Sequence, residues 1–214
     1  MRNDLTDITI IVDRSGSMES IKTDAEGGIR TFVADQQKQP GEATLSLIQF
    51  DTVYEEVYTA KPINDVPDYT LVPRGGTAYL DALGRAIVMA GERMKAIPEG
   101  QRPGLVVMVV VTDGEENSSK EYTHAKIKEM IQHQQDVYKW QFTFLAAGMD
   151  AFKEGQALGI NAAGVCGFTA ENVTRAYASA SANIGRMRSS SFKGAEIKNE
   201  YTEAEVAAMT GEEK

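Results

Sequence analysis

Cysteine, histidine and basic side chains are all scarce in this 214-residue sequence, and each shortage removes a class of function. The one cysteine, Cys166, excludes an intrachain disulfide and suits a reducing compartment. The two histidines, His124 and His133, have no cysteine or histidine partner at zinc spacing and are expected on helix surfaces. Lys plus Arg number 22 against 31 Asp plus Glu, a net charge of −9. That balance argues against non-specific nucleic-acid binding and against attraction to an anionic membrane. The longest apolar run, Leu105 to Val111, is far too short to span a bilayer. The opening Met1-Arg-Asn-Asp-Leu-Thr-Asp lacks the apolar core of a signal peptide, so a cytoplasmic setting is expected. There is no G-x-G-x-x-G, no P-loop and no G-x-S-x-G elbow, which removes dinucleotide, nucleoside-triphosphate and serine-hydrolase readings. What is present is 42% apolar and 25% charged residues, enough to bury the core of one large domain.

Apolar runs and amphipathic stretches alternate along the chain. Leu5 to Val12 reads as a β-branched strand. Ile21, Ala25, Gly28, Ile29, Phe32 and Val33 form one helical stripe. Gly27-Gly28 weakens that helix and predicts close packing against a strand; Pro40-Gly41 ends it. Ala43 to Phe50 and Val53 to Thr59 are strands joined only by Asp51-Thr52, a link so short that it forces an antiparallel hairpin. Glu55 and Glu56 either guard this edge or leave it free to pair with another chain. Residues 61 to 76 are loop-like, and Leu80, Leu83, Ile87, Ala90 and Met94 mark the next helix. Leu105 to Val111 is apolar throughout, as a strand covered on both faces is. A polar helix over Tyr122 to Gln135, a strand from Trp140 to Leu145, a short strand at Val165 to Phe168 and a helix from Val173 to Met187 follow. The alternation predicts an α/β fold: a Rossmann-like, doubly wound, mostly parallel sheet with one antiparallel edge strand. Residues 1–188 are expected to form this domain. Residues 189–214 read as a polar tail with a short helix near Thr202 to Met209.

In such sheets ligands sit at the carboxyl ends of the strands. Asp13-Arg14-Ser15-Gly16-Ser17, Gly75-Gly76-Thr77 and Thr112-Asp113-Gly114 all fall at predicted strand ends or in loops that reach the same crevice. Asp13 and Asp113 with the hydroxyls of Ser15, Ser17 and Thr77 form an all-oxygen set, which suits a hard cation such as Mg²⁺. Two carboxylates at most cancel the ion's charge. It therefore stays electrophilic and favours an anionic ligand from elsewhere.

This pattern resembles the von Willebrand factor A domain family, whose metal-ion-dependent adhesion site combines a D-x-S-x-S motif, a distant Thr and a distant Asp. The flanks resemble it too: Asp-Arg-Ser-Gly-Ser-Met, Gly-Gly-Thr-Ala-Tyr-Leu-Asp-Ala-Leu and Val-Thr-Asp-Gly-Glu. The likeness covers roughly residues 5 to 188. It implies one divalent ion, usually Mg²⁺ with Mn²⁺ as the alternative, at the upper rim of the sheet. Ser15, Ser17 and Thr77 would bind directly, and Asp13 and Asp113 directly or through water. It also implies a protein partner that supplies an Asp or Glu carboxylate. Small stand-alone intracellular members of the family look like bacterial or phage proteins, adaptors for assemblies such as AAA+ ATPases.

Other readings stand beside these. Asp13 or Ser15 could simply cap a helix. Glu115 and Glu116 read as a solvated loop. Arg14 points away from an ion and reads as a surface salt bridge or as a contact for an acidic partner. Asp81 suits the dipole of the helix it opens, with a ligand-facing role for it or Tyr79 as the alternative. Cys166 reads as a small buried side chain. A binding module rather than an enzyme is the leading expectation. The alternatives are a Mg²⁺-dependent phosphohydrolase, whose haloacid-dehalogenase form needs an Asp where Ser15 stands, and a structural subunit that the metal only stabilises.

Overall fold

The computed structural model describes residues 1–147 and 150–211. The chain opens with β1 (Arg2–Asp13), a 3₁₀ turn and α1 (Lys22–Gln37), then forms the hairpin β2 (Glu42–Phe50) and β3 (Tyr54–Pro62). It continues through α2 (Tyr79–Ala96), β4 (Pro103–Thr112), α3 (His124–Tyr138) and β5 (Gln141–Ala146). The short α4 (Ala151–Ala157) and β6 (Val165–Gly167) precede α5 (Val173–Phe192) and α6 (Glu203–Thr210).

The strands form one six-stranded sheet in the order β3-β2-β1-β4-β5-β6. Every pairing is parallel except β2 with β3, which is antiparallel and lies at the edge. The mostly parallel α/β architecture is therefore as the alternation of strands and helices predicts. Alternate residues of each strand face opposite sides. Ile8, Ile10 and Val12 of β1, with Leu105, Val107, Val109 and Val111 of β4, pack under α1 and α5. Ile11, Val106, Met108 and Val110 pack under α2 and α3. Covering both faces is why β4 carries no polar residue between Leu105 and Val111. The α2 stripe Leu80, Leu83, Ile87, Ala90 and Met94 is buried, each large aliphatic side chain stabilising the layer by roughly 1.5–3 kcal/mol.

Gly28 is a close-packing position, but its neighbour is a helix and not the strand expected. A Cβ there would collide with the ring of Tyr177 on α5. The two helices share one face of the sheet, and the missing side chain lets them approach. Arg188, on the last turns of α5, is buried, with no carboxylate partner among the described residues. Its guanidinium donates to the carbonyls of Gln36 (2.6 Å) and Gly41 (3.2 Å), tying α5 to the end of α1, where unpaired carbonyls attract a cation.

Beyond Arg188, α5 runs on to Phe192. Ile197, Tyr201 and Val206 pack against the core, and Met209 of α6 is fully buried in it. Thr202 and Glu205 form a capping box that starts α6. The last three residues of the predicted tail, 212–214, lie outside the described residues. Among the described residues no helix is long and apolar enough to cross a membrane.

Candidate metal centre

β1 and β4 are adjacent central strands at which the chain order reverses, so a crevice opens beyond their carboxyl ends. Asp13 ends β1 and Asp113 follows β4 directly. Asp13 is fully buried. Its carboxylate accepts the Ser15 backbone N–H at 2.6 Å and the Thr112 hydroxyl at 2.6 Å. The Ser15 and Ser17 hydroxyls lie 3.0 Å apart, and Ser17 donates to Asp113 at 2.7 Å. One chain of hydrogen bonds thus runs from a buried carboxylate to a half-buried one, with its exposed member at Ser17.

Thr77 reaches the same place from a loop. A Cβ placed on Gly114 would stand 3.4 Å from the Thr77 hydroxyl and 3.7 Å from that of Ser17. Gly16 N–H donates to the Gly75 carbonyl at 3.2 Å and Arg74 N–H to that of Arg14 at 2.7 Å, which seats the Gly75-Gly76 loop on the first motif. Gly75 has a φ of +72°, a left-handed conformation that favours glycine. All five predicted oxygens are therefore at one rim.

Burial raises the Asp13 carboxyl to about 6, against the hydrogen bonds from Thr112 and Ser15 that hold it down. Burial also raises Asp113, against the hydrogen bond from Ser17. Among the described residues no three His, Cys, Asp or Glu side chains cluster as metal ligands do. A cation at this rim therefore relies on hydroxyl oxygens. Two carboxylates that burial disfavours as anions, three hydroxyls and no nitrogen or sulfur donor fit a hard divalent ion.

Several residues act differently from the sequence reading. Arg14 is buried, not on the surface. It pairs with Asp51 at 3.1 Å and Glu55 at 2.8 Å, pointing away from the rim into the hairpin turn. Glu116 is no solvated loop residue. It accepts the N–H groups of Leu80 (3.0 Å), Ser118 (2.8 Å) and Ser119 (2.7 Å), capping α2, whose own cap position, Ala78, has no side-chain acceptor. Asp81 returns the contact by accepting from Lys120, Glu121 and Tyr122 N–H at 2.8–2.9 Å. Together they clamp the Asp113 loop to the helix that follows Thr77. His124 does more than decorate a helix surface: its Nε2 lies 2.7 Å from Glu154, which also accepts the buried Tyr79 hydroxyl, joining α2, α3 and α4. Cys166 is buried, and burial pushes its thiol up to about 11.

The six-stranded, mostly parallel sheet flanked by helices matches the fold of von Willebrand factor type A domains. No protein-family model and no curated protein sequence matches the chain, but solved structures do. A von Willebrand factor type A protein from Catenulispora acidiphila is 16% identical, with a TM-score of 0.56 over 87% of this chain and 42% of its own. Proximal thread matrix protein 1 from the mussel byssus, with a zinc-occupied MIDAS motif, is 16% identical, with a TM-score of 0.52 over 79% of this chain and 44% of its own. The manganese-loaded TRAP protein of Plasmodium vivax is 14% identical, with a TM-score of 0.53 over 75% and 65%. The likeness establishes the fold. The chain spans less than half the length of the first two of these structures.

Proposed function

We propose that this chain is a divalent-metal-dependent protein-binding module in which Asp13, Ser15, Ser17, Thr77 and Asp113 hold Mg²⁺, with Mn²⁺ as the alternative. The observation that carries the reading is the run of hydrogen bonds Thr112–Asp13–Ser15–Ser17–Asp113, which enters Ser15 at its backbone N–H and leaves from its hydroxyl. It gathers two carboxylates and two hydroxyls from strands that meet at the switch point and brings them out to solvent at Ser17. The zinc and manganese at solved neighbours of the same fold support a divalent ion. When bound, such an ion supplies an electrophilic point for a carboxylate.

The residues of the chain do the rest. Thr112 and the Ser15 N–H orient Asp13, the Glu116–Asp81 clamp fixes the loop carrying Asp113, and Gly75 lets the Thr77 loop close over the first motif. In a protein of net charge −9, acidic partners are repelled except at that point, which confines binding to one place. The partner is a protein that presents an Asp or Glu side chain, and a AAA+ ATPase assembly is one candidate. We read the module as one that binds: the Ser15 and Ser17 hydroxyls hydrogen-bond to each other and Ser17 donates to Asp113, while the His124 imidazole faces Glu154, so neither serine is paired as an activated nucleophile is. The lone buried thiol, Cys166, supports a cytoplasmic setting.

Calorimetric titration of Mg²⁺ and Mn²⁺ into wild type and Thr77→Ala tests the site directly. Capture from lysate with Mg²⁺ or with chelator then tests the partner. Metal binding that survives Thr77→Ala and Asp113→Ala together would overturn the site. A partner retained in excess chelator would overturn the mechanism.

A further inference from the structure

We propose that a second site, at the opposite end of the sheet, binds a small aromatic monocarboxylate. A cavity of about 270 Å³ opens between α2, α3 and the start of β4. β4 has ten residues, so at ~3.3 Å per residue this cavity lies about 30 Å from the metal rim. Ligands of this fold class favour the carboxyl ends of strands, and nothing in the proposed adhesion-type function uses the amino ends.

Three features define the ligand. The first is an apolar, aromatic wall: Met94 and Val106 contribute buried surface, and Trp140 is buried beside them. At the mouth Tyr138 meets His133 edge-on, with ring centroids 5.6 Å apart. Such walls favour a flat ring that stacks or meets them edge-on.

The second is charge of one sign. Lys95 and Arg102 line the cavity, and no Asp or Glu does, in a chain where acids outnumber Lys and Arg 31 to 22. Among the described residues neither Lys95 nor Arg102 has a carboxylate partner. The Arg102 Nε donates to the Ile97 carbonyl at 2.8 Å. That bond fixes the guanidinium and leaves its terminal nitrogens for a planar anion, and a carboxylate is the anion that a guanidinium fork matches.

The third is Gly91, in the middle of α2 and on the cavity wall. A Cβ there would meet nothing within 4 Å. A mid-helix glycine weakens a helix relative to alanine, and unlike Gly28 this one admits no neighbouring chain. What its missing side chain does is keep the cavity open.

Trp140 is the only tryptophan of the chain; because it also borders a groove lined by Lys139, Gln141 and Asn199, the Arg102→Gln comparison assigns any emission change to this cavity. Phenylacetate is the probe and phenylacetamide the uncharged control, both titrated with excess chelator present to separate this site from the metal rim. The proposal expects a saturable emission change with phenylacetate, half-complete below about 1 mM. It expects affinity at least tenfold weaker for phenylacetamide and for Arg102→Gln, and loss of the response in a folded Gly91→Leu. No saturable change, equal affinity for the amide, or an unaltered Arg102→Gln would overturn it. Should Gly91→Leu fail to fold by circular dichroism, Arg102→Gln and Lys95→Gln carry the decision.

Discussion

Arg14 and Asp51 meet at 3.1 Å with side chains only 4% and 2% exposed, so the arginine inside the first motif serves the hairpin and not the rim. Asp51 also accepts from Arg74 at 2.7 Å and from the Val53 N–H at 2.6 Å. Removing it leaves a buried guanidinium with only the half-exposed Glu55. Asp51→Ala is therefore expected to cost about 3–5 kcal/mol in urea unfolding, and Asp51→Asn less.

The same carboxylate predicts a pH dependence. Burial pushes the Asp51 carboxyl up, but the Arg74 hydrogen bond, the Val53 N–H and the two guanidinium charges outweigh it and leave it below the usual range. A depressed folded-state value means that the stabilisation is complete above the unfolded value near ~3.9 and is lost as pH falls through the folded one. Thermal midpoints between neutral pH and pH ~3 should fall more steeply for wild type than for Asp51→Asn. Parallel curves would show that Asp51 contributes nothing to acid lability.

Metal should stabilise the fold through the rim. At a hundredfold excess over Kd a bound ion adds about 2.7 kcal/mol, which for a chain of this size raises the melting temperature by roughly 5–10 °C. Differential scanning fluorimetry should show that rise with Mg²⁺ or Mn²⁺, its reversal by chelator, and its absence in Asp113→Ala.

Two mid-helix glycines should respond with opposite signs. Gly28→Ala forces a methyl into the Tyr177 ring, an overpacking cost of about 1–3 kcal/mol that exceeds the gain in helix propensity. Gly91→Ala meets nothing within 4 Å and should stabilise by about 0.5–1 kcal/mol. Urea midpoints of the two variants read this directly.

Arg188→Ala strands the Gln36 and Gly41 carbonyls that its guanidinium now satisfies. A loss of about 2–4 kcal/mol is expected. Arg188→Lys, with one ammonium in place of the fork, should recover only part of it in the same assay.

The sheet was readable in the sequence because burial on two faces leaves its mark on composition: no residue from Leu105 to Val111 can be polar. The meeting of Asp13, Ser15, Ser17 and Asp113 was readable for a related reason, since adjacent parallel strands of a doubly wound sheet end at the same rim. What escaped was tertiary. The seven-residue α4 buries only Ala151 and Gly155, too few positions to show a stripe. Glu116 caps a helix 36 positions earlier in the chain, and no local pattern announces a cap delivered from another segment. Arg14 looks like a surface charge until the hairpin brings Asp51 to it. Gly28 signals a close approach, but not that α5 is the element that approaches.

The position of β1 has a consequence for how the molecule is made. Its neighbours are β2 and β4, and β4 begins only at Pro103. On the ribosome the first strand therefore emerges long before its second partner exists, and one hydrogen-bonding edge stays open while roughly ninety further residues are added. Open strand edges are where nascent chains aggregate. A pause in translation before β4 would prolong that exposure, whereas one after β4 would find the centre of the sheet already closed.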